Sequence, residues 1–184
     1  MTPEPAGKQK TPTWVVVLIV VVVLAGGCCL LGTVAAIAIP NYMKFNSRAK
    51  QSECKTQVKG AYVAERAYFA EKDTFSENET EVGYTPDGRS SVLLFSLSAA
   101  PIGKGPNPDA LGAAIRENTS GQLGIVGKCP DCNITIGCAA NIDKDPEIDV
   151  WTVSTADRTS RSGQKIPAGQ PYNEFNDVTD APGD

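Results

Sequence analysis

Histidine is absent from all 184 residues. That removes Ser-His-Asp and Cys-His nucleophile pairs and every His-containing metal site, and most familiar hydrolase mechanisms go with them. Charge is missing from a second place: Trp14 to Ile39, 26 residues, contains no Asp, Glu, Lys or Arg. A plain soluble domain is thereby excluded. Aromatic residues make up only 7% of the chain, and outside the uncharged run roughly 34% of residues are apolar, lean for a globular protein. The remainder can hold one small core. There is no basic excess either. Net charge is −4 overall, and with Lys8, Lys10 and Glu4 in residues 1–13, residues 40–184 carry −5. This is not the electrostatic footprint of a nucleic-acid binder. No residue constellation points to a small-molecule substrate, so the chain is not expected to be an enzyme.

What is present begins with the run WVVVLIVVVVLAGGCCLLGTVAAIAI, in which 22 of the 26 residues are apolar. As a helix it would span ~39 Å at ~1.5 Å per residue, against a hydrocarbon core of ~30 Å. A cleaved signal peptide has an apolar region of only about 7 to 15 residues, followed by polar chain. Here the apolar character continues for ten positions past Cys29. Ala25-Gly26-Gly27-Cys28 loosely approximates a lipid-attachment box, but a mature chain starting there would begin inside a hydrophobic helix. Lys44, Arg48, Lys50, Lys55 and Lys59 follow the run and only Lys8 and Lys10 precede it, so the positive-inside rule alone places the C-terminus in the cytoplasm. Four cysteines outside the run, Cys54, Cys129, Cys132 and Cys138, argue the opposite, since an even number in a thin-cored domain fits an oxidising compartment. The reading adopted is a single-pass protein of the inner (cytoplasmic) membrane with its head exported to the periplasm or cell surface.

The rest of the chain divides as follows. Residues 1–13 read as a disordered cytoplasmic stub and residues 14–39 as the transmembrane helix. Residues 40–73 read as an amphipathic helix continuing into a head, with Cys54, Val58, Ala61, Ala64 and Tyr68 on one face. Lys50, Gln51, Lys55, Lys59, Arg66 and Lys72 lie on the opposite face. Glu65, within the mostly apolar face, is either the partner of a basic residue or part of a solvated margin. Residues 74–156 read as loop and antiparallel sheet, with strands at 90–98, 122–127, 133–141 and 149–155 and one short helix at 109–117. In the third strand Ile134, Ile136, Cys138 and Ala140 alternate with Thr135, Gly137, Ala139 and Asn141, the period of a half-buried strand whose first set faces the helix. Residues 157–184 read as a polar, mobile tail with Ile166, Tyr172, Phe175 and Val178 as scattered anchors. The fold class is therefore α+β.

Three patterns carry candidate chemistry. Cys129-Pro130-Asp131-Cys132 has the spacing of a thiol oxidoreductase, yet Asn133-Ile134-Thr135-Ile136 reads as strand where a thiolate needs a helix N-terminus. A structural disulfide is the favoured reading, beside a zinc site built from the four outer cysteines or a redox pair. Cys138 shares the face of Ile134 and Ile136, and Cys54 stands on the helix stripe, so Cys54 is expected to pair with Cys138 and Cys129 with Cys132. Asn141, Asp143, Asp145 and Asp149 place oxygen ligands at the spacing of a calcium loop, although Pro146 stands where such a loop takes Gly and Thr152 where it takes Glu. The bland reading is an acidic turn. Cys28 and Cys29 are most simply two small apolar residues. Asn-x-Ser/Thr triplets at Asn78, Asn118 and Asn133 fit the Ser and Thr content, and nothing is made of them.

The stretch Leu31-Gly32-Thr33-Val34-Ala35-Ala36-Ile37-Ala38-Ile39-Pro40-Asn41-Tyr42, continuing to Glu71, resembles the N-terminal helix of type IV pilins and the related pseudopilins. Gly137 to Val153 is similar to the sheet region of the same group. The resemblance implies a lollipop: a long helix whose first half sits in a membrane or filament core, and a head of helix plus antiparallel sheet. It also implies that the chain is a structural or assembly component of a type IV pilus or type II secretion-like apparatus. The expected partners are the membrane, other pilin-like subunits and pilus or secretion platform proteins. Calcium in some pseudopilin heads gives the acidic loop added interest. Pilin precursors are similar to one another in a short leader ending in Gly and a following Thr-Leu-Ile-Glu. Aligned on Pro40, this chain has Leu18 at the cleavage glycine, Ile19 at the new N-terminus and Val23 at the glutamate. An unprocessed chain is therefore expected, with a non-polymerising, membrane-anchored binding domain as the alternative and a CxxC redox protein as a third.

Overall fold

The computed structural model describes residues 12–119, 122–142, 147–160 and 162–176, apart from the side chains of Cys29, Leu30 and Lys44. The chain divides after Phe45 into two compact units. One helix, α1 (Thr13–Lys72), supplies the first unit and opens the second. It passes through Pro40, which removes one backbone donor and frees the carbonyl of Ala36. In the first unit Trp14, Leu18, Val23, Leu24, Leu31 and Ile37 are all more than half exposed. A helix that shows large apolar side chains all round has lipid or other helices as its solvent.

The second unit is a two-layer cover on one sheet. After α1 come α2 (Glu79–Val82), β1 (Ser91–Leu94), β2 (Ile102–Gly103), α3 (Pro108–Asn118), β3 (Gly124–Val126), β4 (Asn133–Ala140), β5 (Asp149–Ser154), β6 (Arg158–Thr159), β7 (Lys165–Ile166) and β8 (Tyr172–Phe175). The strands run β2-β1-β4-β5-β8 with every pairing antiparallel, and β6 with β7 forms a separate hairpin. One edge of β4 is shared, β3 pairing with its first residues (Gly124 opposite Thr135) and β1 with its last (Leu94 opposite Gly137).

Both faces of β4 are buried, where the alternation in sequence predicts one. On the first face Ile134, Ile136, Cys138 and Ala140 pack with Cys54, Val58 and Ala61 of α1, together with Leu93, Phe95 and Val153. On the other, Ala139 joins Val92, Leu94 and Val150 beneath Leu111 and Ile115 of α3. Gly137 explains why a helix can lie so close: a Cβ there would stand 2.3 Å from Cγ2 of Ile115. Small residues that read as a solvent face are in fact the seat of a second helix.

Two other expectations are corrected. The strand read at 90–98 ends at Leu94, because Ser96 turns its hydroxyl to the amide of Ala99 and to Ser98 instead of continuing the ladder. On the polar face of α1, Lys50 donates to the carbonyl of Ile142 and Lys59 to that of Gly169. Residues 157–176 are part of the head rather than a mobile tail, with Ile166 and Tyr172 buried and β8 closing one edge of the sheet. Their polarity is absorbed by mutual pairing: Arg158 forms a 2.5 Å ion pair with Glu174, and both also bond Thr152 of β5. Val178 lies outside the described residues.

Candidate functional site

The parts that do work here are an anchor and the staples that hold a head to the second half of α1. Cys54 on α1 and Cys138 on β4 are joined by a disulfide with Cα atoms 5.6 Å apart, both fully buried. Cys129 and Cys132 form a second, local disulfide in the turn between β3 and β4, with Cα atoms 4.5 Å apart. Paired in this way the four sulfurs offer no thiolate set to zinc. Cys132 leads directly into β4, so the turn has no helix N-terminus to stabilise a thiolate. Cys28 lies exposed on the apolar part of α1.

A polar staple sits beside the first disulfide. Glu53 accepts from the amide and hydroxyl of Ser90 at 3.0 Å each and from the hydroxyl of Ser91 at 2.6 Å. One turn on, Gln57 takes the hydroxyl of Tyr84 on its backbone and side-chain oxygens. Gly88 lies against both, so that a Cβ there would stand 2.1 Å from the Gln57 amide nitrogen and 2.6 Å from the Glu53 carboxylate and would push these side-chain ends aside. Burial pushes the Glu53 carboxyl up, but the bonds from Ser91 and then Ser90 outweigh it and hold the group below its ordinary value of 4.5. Its contribution is thus present above that value and lost as pH falls through the depressed one. Glu53→Ala is expected to cost about 1.5 to 3 kcal/mol at neutral pH, the range for hydrogen bonds to a charged group. Urea titrations at about pH 7 and about pH 3 should show the gap between wild type and variant closing in acid; a gap that widens would contradict this sign.

The residues of the candidate calcium loop are placed unevenly. Asp143 and Asp145 lie outside the described residues. Asn141 follows the end of β4 and donates to the carbonyl of Glu147 at 3.5 Å. Asp149 opens β5 fully buried, accepting from Trp151 Nε1 at 2.5 Å, Asn173 Nδ2 at 2.9 Å and Gln51 Nε2 at 3.3 Å. It therefore ties α1, β5 and β8 together. Sequence reasoning missed this role because Gln51 and Asn173 are too distant in the chain for any spacing rule to join them. No cluster of three or more His, Cys, Asp or Glu side chains suited to a metal occurs among the described residues.

A membrane-length apolar helix whose second half is built into a small antiparallel sheet head defines a pilin-like α+β membrane protein. No family model matches the sequence. The chain is 30% identical over 191 aligned positions to the type IV major pilin protein PilA of Myxococcus xanthus (strain DK1622), with 81% of this chain and 86% of the relative covered. It belongs to the type IV pilin family.

Proposed function

We propose that this chain is a structural subunit of a type IV pilus, anchored in the cytoplasmic membrane by residues 14–39 with its head exported. One observation carries the reading: kinship to a major pilin over 81% of the chain, a breadth that the apolar helix alone cannot supply. Two disulfides support export, since a reducing cytoplasm would open them. They weigh more than the five basic residues after the span, which by themselves favour the reverse orientation. The role is one of assembly and packing, not catalysis.

A second reading is favoured by a specific feature. Trp14 to Ile39 contains no carboxylate, so the span offers no charge to pair with the N-terminal amine of a neighbouring subunit. A permanently anchored pilin-like protein, or a pseudopilin-type part of a secretion apparatus, would use the same anchor and head. Topology is tested by protease treatment of spheroplasts and of inside-out vesicles. The head is expected to be cut in spheroplasts while the membrane-bound fragment resists carbonate extraction. A head cut only in inside-out vesicles would refute export.

A further inference from the structure

Glu65 occupies a core position of α1. The buried stripe runs Cys54, Val58, Ala61, and the next step of four lands on Glu65, which is 0% exposed. Its Oε2 accepts one long bond, 3.3 Å, from the amide of Ser76, and its Oε1 has no partner among the described residues. A buried carboxylate ordinarily recruits a cation or several donors. Here the charged group that acts on it is Glu77, of the same sign. Glu81 is one bond further away, accepting from the hydroxyl of Ser76 at 2.7 Å. Arg66 on α1 is exposed, as are Lys128 and Asp131 in the turn after β3. A negative charge solvated by one amide and facing another carboxylate is far more costly in this place than a neutral acid.

Ser76 belongs to the segment that returns from α1 to the sheet. That segment is clamped at three points: the Phe75 ring stacks on Phe69 of α1 at 4.4 Å, Ser76 bonds Glu65, and Glu77 accepts from the amide of Ile125 on β3 at 3.0 Å. Two of the three clamps involve the carboxyl pair. We propose that Glu65 is a proton-operated latch: with its carboxyl protonated it holds residues 74–83 against α1, and when the O–H proton passes to water the carboxylate drives that segment off to become hydrated. Desolvation first, and Glu77 second, push the group up from 4.5 to about 7 against the opposing bond from Ser76. Because the folded value lies above the unfolded one, the latch stabilises fully below about pH 4.5 and is lost as pH rises through about 7. Opening would uncover Phe75, now 4% exposed, so the alkaline form presents an aromatic surface that the acid form hides.

The experiment is hydrogen exchange at the Ser76 and Ile125 amides of the full-length protein in detergent micelles, at about pH 5.5 and about pH 8.5, corrected for intrinsic rates. Protection is expected to fall about tenfold or more at the higher pH, one pKa unit corresponding to a factor of ten. Glu65→Gln, which imitates the protonated acid, should stay protected at both. The side-chain ¹³C signal of Glu65 in the wild-type protein should titrate near 7, a reading that does not depend on the variant folding. Equal protection at both pH values, opening in Glu65→Gln identical to wild type, or titration of Glu65 near 4.5 would each overturn the latch.

Discussion

Replacing Cys54 and Cys138 together by serine should be the most damaging pair of changes in the head. The bond joins residues 84 apart in sequence, and the chain-entropy relation gives about 4.5 kcal/mol for a closed loop of that length. Two serine hydroxyls would also sit where both cysteines are fully buried, adding the cost of polar groups without partners. Serine replacement of Cys129 and Cys132 removes a bond that spans a sequence separation of only three, for which the same relation gives about 2 kcal/mol. Guanidinium unfolding followed by Trp151 fluorescence should rank the two variants in that order. Trp151 is a good reporter because it packs against the cluster containing Cys54 and Cys138. Equal losses, or a greater loss at Cys129 and Cys132, would show that the bond between α1 and β4 does not hold the head.

The second large effect is expected at Arg158. Its ion pair with Glu174 has side chains only 10% and 8% exposed, and the guanidinium also lies over the Tyr172 ring. Arg158→Ala would leave the Glu174 carboxylate buried with its cation gone, while Thr152 still donates to it at 2.6 Å. Breaking one partner of a buried pair costs about 3 to 5 kcal/mol. The double variant Arg158→Ala with Glu174→Ala should lose clearly less than the sum of the singles, since the uncompensated charge is gone. Thermal denaturation of the four proteins provides the cycle. Strict additivity, or a neutral Arg158→Ala, would mean that residues 157–176 are not fixed to the sheet.

That segment is also where the sequence is least legible. Arg158, Asn173 and Glu174 look like solvent residues one at a time, and only the partners Thr152 and Asp149 across β5 make them interior. No local period reveals pairing between side chains that meet through the sheet. By contrast the stripe Cys54, Val58, Ala61 and the alternation Ile134, Ile136, Cys138 state their own geometry, and the structure joins those two faces through the Cys54–Cys138 bond. Glu65 lay in plain view of the same arithmetic. Charge argued for a solvated margin, while the spacing of four from Ala61 argued for the core, and burial follows the spacing. On β4 the small residues Gly137 and Ala139 concealed the seat of α3, because a position that must be small for a close neighbour looks the same in sequence as one with no neighbour at all.

The chain belongs to the type IV pilin family, while its uncharged span withholds the carboxylate that the resemblance associates with assembly. These two facts meet in one measurement: mass spectrometry of filaments sheared from the cell surface, set against the washed membrane fraction of the same cells. A pilus subunit with an exported head should appear in the sheared fraction, with the peptide containing Cys54 linked to that containing Cys138 before reduction. Confinement of the protein to the membrane fraction, with sheared filaments present but free of it, would contradict a role as a pilus subunit.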